Sequence, residues 1–114
     1  MTIRSRASQD RRSNSRVIAL KKCCFTLRDT VHDAVVVDLS RNGAMLMSEF
    51  LPANGENVQL SIRSEHLKEE LNLAGKVARG TMVTTDYGKR GRFVVNFADT
   101  PLVLLQLISK LNLT

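Results

Sequence analysis

The stretch TVHDAVVVDLSRNGAMLMS, residues 30–48, decides how the chain is read. Its first part, Thr30 to Leu39, reads as a strand. Val31, Val35, Val36 and Val37 supply the stiff, β-branched side chains that fit a pleated surface. Asp38, Ser40, Asn42 and Gly43 then interrupt the apolar run, and Ala44 to Ser48 resumes a short strand whose alternation is blurred by Met45 and Met47. The interruption, D-x-S-x-x-G, supports two readings. Asp, Ser, Asn and Gly are ordinary turn residues. They also suit a ligand. In a strand, Asp38 and Ser40 are two apart and share a face. The carboxylate can accept from an arginine or from guanine N–H groups, and the hydroxyl can donate to phosphate or a ring nitrogen. Gly43 permits a positive φ and a close approach of backbone to ligand.

Outward from this stretch the chain continues as short strands and turns. Val17 to Leu27 reads as a strand, with Arg28-Asp29 as the turn into the next. Pro52, Asn54 and Gly55 break the chain between Leu51 and Gly55. Val58 to Ile62 alternates as a half-buried strand does. Residues 64–70 fit either one helical turn or a loop. Leu71 to Thr85 reads as one long or broken strand, YGKRG (87–91) as a turn by its glycines, and Arg92 to Phe97 as a strand. Thr100 is placed as an N-cap and Pro101 as the first position of a helix that runs to about Leu113. Strands with turn signals every 8 to 12 residues suggest an antiparallel barrel or sandwich. The helix is apolar over a wide arc: Leu102, Val103, Leu104, Leu105, Leu107, Ile108 and Leu111. That is too broad for one core-facing stripe, so part of it is expected to cover an open barrel end and part to meet another subunit.

The chain has 114 residues, enough for one domain with a modest core. No apolar run approaches the roughly 20 residues that cross a bilayer. MTIRSRASQDRR at the start lacks a secretory apolar region, so a cytoplasmic protein is expected. The charge is unevenly placed. Residues 1–22 hold seven basic residues against Asp10 alone, and this accounts for the whole net charge of +6. Such asymmetry points to an anionic partner: nucleic acid, a phosphorylated small molecule or an acidic membrane face. Residues 1–10 are expected to form a flexible basic arm, and residues 11–114 a single domain. The adjacent cysteines, Cys23 and Cys24, point to opposite faces of a strand and are expected to be reduced thiols.

RRSNSR (11–16) places Arg11 ahead of an R-x-x-x-R pair, Arg12 and Arg16. A guanidinium is always charged and offers a planar fork of donors that clamps phosphate or the O6/N7 edge of guanine. Taken with Asp38, Ser40 and Gly43, this order of motifs resembles the PilZ domain family. The resemblance extends to LAGKVARG (73–80), which looks like the family's later strand. It also extends to GRFVVNF (91–97), which looks like its terminal strand, and to the C-terminal helix; it covers roughly residues 9–112. It implies a mostly β fold, a six-stranded antiparallel β-barrel with a C-terminal α-helix, that binds cyclic di-GMP. By the same resemblance Arg12 and Arg16 grip phosphate and guanine edges, with Arg11 assisting. Asp38 and Ser40 line the opposite wall, Gly43 leaves room, and Arg79 stacks on a base. The doubled arginine resembles members that take up a stacked pair of ligands. No cofactor beyond this ligand is implied.

The resemblance implies a receptor whose arginine arm orders on ligand binding and signals to a partner protein, because no output domain is visible. An enzyme is not expected. His32 and His66 stand alone, with His32 read as a turn or surface residue, and no metal-ligand spacing or nucleophile motif occurs. Two other readings compete: a basic β-barrel that binds nucleic acid, and a protein-interaction adaptor with a vestigial nucleotide site. Against the first, aromatic residues for base stacking make up only 4% of the chain.

Overall fold

A computed structural model of the chain describes residues 16–112. Six strands and one helix follow in order: β1 (Val17–Leu27), β2 (Thr30–Leu39), β3 (Gly43–Ser48), β4 (Asn57–Ile62), β5 (Leu71–Thr85), β6 (Gly88–Phe97) and α1 (Leu102–Asn112). Every paired strand is antiparallel, and the strands close into a barrel in the order β1-β2-β3-β6-β5-β4. The fold is thus the mostly β barrel with a C-terminal helix that the sequence suggested, and not a sandwich.

Inward-facing residues form continuous rows across the strands. One row is Val17–Leu39–Ala44–Val95–Val77, and another is Phe25–Leu60–Leu73. All are buried, and Phe25, Val36, Leu39, Leu46, Leu60, Phe93 and Val95 are almost wholly so. Leu104 and Leu107 of α1 join the same core, while Leu102 and Val103 remain exposed. The helix therefore buries one part of its apolar surface in the core and leaves another part exposed.

Several boundaries differ from the sequence reading for identifiable reasons. Arg28 and Asp29, at φ of 48° and 71°, make a two-residue hairpin turn between Leu27 and Thr30. Both residues lie at positive φ, as the right-handed twist of a hairpin demands. The YGKRG segment is mostly strand. The chain reverses at Asp86-Tyr87, Gly88 absorbs a φ of +105°, and Lys89 to Gly91 pair with β5. Residues 64–70 are turns and not a helix, closed by a hydrogen bond from the Leu67 N–H to the Ser64 carbonyl. Thr100 does not cap α1. Its hydroxyl donates to the Arg41 carbonyl at 3.0 Å, and the first helical acceptor is the carbonyl of Pro101. Leu113 lies outside the described residues.

Neither His32 nor Cys23 is a free surface group. The His32 ring stacks between Phe50, with centroids 4.4 Å apart, and Phe25, at 5.0 Å. Both cysteines are free thiols. Burial, reinforced by the neighbouring Cys24 and Asp33 charges, pushes the Cys23 thiol up to about 12. The thiol form is therefore favoured at neutral pH, which disfavours action as a nucleophile.

Two register shifts matter most. On β2, Ala34 and Val36 both face inward, and strict alternation would turn Asp38 inward after them. An extra residue, Val37, interrupts the pairing with β3 between Val36 and Asp38, so Asp38 faces outward and Leu39 takes the core position. β5 repeats the device. Val77 faces inward, Ala78 is the extra residue opposite β6, and Arg79 faces outward.

Gly43 has a packing role. A Cβ there would lie 2.4 Å from the Val95 carbonyl oxygen, which belongs to the ladder between β3 and β6. Its φ is not positive, and the close approach is to neighbouring backbone. Gly43→Ala is therefore expected to destabilise the protein by about 1–3 kcal/mol, the usual cost of overpacking a site that cannot yield. A lowered urea midpoint with an unchanged slope would be the readout; an unchanged midpoint would show that the strand gives way freely.

Candidate functional site

The outward bulges bring the candidate residues into one line. Across five neighbouring strands the register reads Ile18–Asp38–Met45–Val94–Arg79. Residues paired in this way project from the same face of the sheet. Arg16 reaches this line from just before β1. One of its guanidinium N–H groups donates to the Asp38 carboxylate at 2.6 Å. The pair is open to solvent, with side chains 43% and 20% exposed, so it adds at most about 1 kcal/mol to stability. Its geometry is more informative than its energy: it presents the remaining N–H donors of Arg16 beside a carboxylate edge.

Arg79 lies three strand spacings from Asp38, on the order of 14 Å. Between them the floor consists of Met45 and Val94, and Val94 is buried although it faces outward. Arg79 also lines a shallow cleft of about 230 Å³ with Met45, Thr81, Arg92 and Val94. The face is thus an apolar strip with a guanidinium–carboxylate pair at one end and two arginines at the other. Chemically it can accept the flat side of a heterocycle on the strip and negative groups at both ends. Arg92 escaped the sequence reading because only the register of β5 against β6 places it beside Arg79.

Ser40 belongs to a different part of the arrangement. β2 ends at Leu39, so Asp38 and Ser40 do not share a strand face. Ser40 is 2% exposed. Its hydroxyl donates to the Gly43 carbonyl at 3.1 Å and accepts from the backbone N–H groups of Asn42 and Gly43. Its own N–H donates to the same Gly43 carbonyl at 2.8 Å. In this structure the Ser40 hydroxyl ties the turn that delivers Asp38 to the surface. Gly43 likewise clears room for Val95 in this structure. Arg11 and Arg12 lie outside the described residues. No cluster of metal-ligating side chains occurs among the described residues.

The chain belongs to the PilZ domain family: a family model described as the PilZ domain matches residues 10–111. Solved structures agree on the fold. The PilZ domain with c-di-GMP of YcgR from Escherichia coli is 16% identical, with a TM-score of 0.70 over 90% of this chain and 92% of that one. The inhibitor of motility MotI/DgrA from Bacillus subtilis is 13% identical, with a TM-score of 0.69 over 90% of this chain and 50% of that one. PlzA from Borreliella burgdorferi, solved in complex with c-di-GMP, is 19% identical, with a TM-score of 0.66 over 92% of this chain and 42% of that one. The chain thus spans half or less of the last two. No curated protein matches it.

The different roles of Asp38 and Ser40 separate in stability. Ser40→Ala removes the acceptor of the buried Gly43 N–H and of the part-buried Asn42 N–H, and is expected to cost about 1–3 kcal/mol. Asp38→Asn removes an exposed ion pair and is expected to cost about 1 kcal/mol or less. Urea unfolding of both variants checks the ranking, and an equal or reversed order would contradict it.

Proposed function

We propose that this protein is a cyclic di-GMP receptor that acts as an adaptor, not an enzyme, in the bacterial cytoplasm. The observation that carries the reading is the outward row in which Met45 and Val94 separate the Arg16–Asp38 pair from Arg79. A cyclic guanine dinucleotide combines flat bases with two phosphates. The apolar strip suits the first and the flanking arginines suit the second. Two of the structural relatives are described with c-di-GMP, which adds to the case.

In this reading Arg12 and Arg16 hold phosphate and guanine edges, with Arg11 assisting. Asp38 orients Arg16 and accepts from guanine N–H groups. Arg79 lies at the far end of the strip, where its plane stacks on a base. Ser40 and Gly43 act through the turn that holds Asp38 in place. Ligand binding neutralises the basic leader and orders it over the barrel wall, and the changed surface is read by a downstream protein. The exposed Leu102 and Val103 of α1 offer a contact for another chain. No described helix is long and apolar enough to cross a membrane.

Calorimetry with cyclic di-GMP, followed by single-stranded RNA at two salt concentrations, tests the proposal. Binding of the dinucleotide without RNA binding is expected; salt-sensitive RNA binding alone would favour the nucleic-acid reading. Arg16→Ala removes charge-assisted hydrogen bonds worth about 1.5–3 kcal/mol each. It should weaken dinucleotide binding about tenfold or more with the fold retained. Unchanged affinity in that variant would remove Arg16 from the site.

A further inference from the structure

Barrel closure leaves some strand ends without a second ladder partner among the described residues, among them Val17–Lys22 of β1 and Thr30–Ala34 of β2, and the longest such stretch is on β5. β4 pairs with β5 only over Leu71–Lys76. The next residue, Val77, is held by the loop before β4: its N–H donates to the Glu56 carbonyl, and its carbonyl accepts from the Gly55 N–H. Beyond Ala78, β5 continues to Thr85 with β6 as its sole ladder partner among the described residues. The edge Arg79–Thr85 therefore presents backbone donors and acceptors with no ladder partner, on the part of the β5–β6 hairpin that runs past β4.

Natural edges of this kind are guarded by charge, proline or bulges. Here the stretch reads RGTMVTT. It carries one charge, at its start, no proline, and a run of β-branched residues around Met82, which is 47% exposed. The hairpin's other edge is different. β3 stops at Ser48 opposite Gly91, leaving Gly88, Lys89 and Arg90 open on β6. Antiparallel pairing of that edge with its own copy would oppose Lys89 to Lys89, so charge guards β6 and leaves β5 available.

We infer that the Arg79–Thr85 edge of β5 is a homodimer interface. Two copies add β5 to β5 in antiparallel fashion about a two-fold axis, which makes a ribbon in the order β6-β5-β5-β6. Full use of the open edge places its middle residue, Met82, on the axis against Met82 of the second copy. Thr81 then faces Val83, Gly80 faces Thr84, and Arg79 faces Thr85, so no like charges meet. Both copies contribute the same edge, so the association through it is isologous and closes at two.

Sedimentation velocity over a concentration series tests the inference. The mass should rise from 12.7 kDa toward twice that value. Met82→Arg and Met82→Glu each place like charges face to face on the axis and should each remain monomeric, with far-UV circular dichroism unchanged. Mixed in equal amounts, the two variants should recover the dimer, which also shows that both are folded. A wild-type chain that stays monomeric throughout overturns the inference. So does a dimer that persists in both variants, as association through Leu102 and Val103 of α1 would give, or a mixture that fails to restore it.

Discussion

A barrel this small has no place inside for an unpaired charge, and the site follows from that constraint. Asp38 and Arg79 each stand two residues after an inward-facing valine, Val36 and Val77. Regular alternation would bury both charges, at a cost of several kcal/mol each. A one-residue bulge at Val37 and another at Ala78 turn them outward, and the cross-strand register then sets them on the same row. Bulges are often used to re-aim a side chain near a functional site. In this chain they turn outward the two ends of the candidate site.

The turn between β2 and β3 supports the same geometry from beneath. Ser40 satisfies the backbone of its own turn, and Gly43 lets β3 lie against Val95. The pairing of Asp38 with Met45 depends on that closure, because a slip of one residue would exchange the faces of the whole strand. The motif D-x-S-x-x-G thus works as a unit with divided labour. Asp38 is displayed, while Ser40 and Gly43 hold the frame that displays it. Arg16, at the mouth of β1, reaches the carboxylate through an exposed ion pair that adds little to stability.

Much of this was legible in the sequence, and the limits are physical. The valine run of β2, the alternation of Val58, Leu60 and Ile62, and the apolar helix all carry periodic signals, so the elements could be anticipated; the choice of a barrel over a sandwich rested on the resemblance to the PilZ family. The joint presence of Arg16 and Asp38 was readable as a pair, and they do meet. What could not be read was the direction of each side chain near a bulge. Nor does a sequence announce where a strand stops or how two strands register, so Ser40 reads as sharing the Asp38 face and Arg92 does not stand out. His32 was hidden for a related reason. Its stack on Phe50 joins β2 to the loop after β3, a contact that no local pattern encodes.

If ligand lies along the outward row from Asp38 to Arg79, it must perturb the backbone of every strand in that row. Titration of isotopically labelled protein with cyclic di-GMP, followed by backbone amide NMR shifts, tests this most directly. The largest shifts are expected on Asp38, Met45, Val94 and Arg79. Large shifts confined to the outward row on the other wall, Thr26, Gln59 and Ala74, with the first row unmoved, would contradict it.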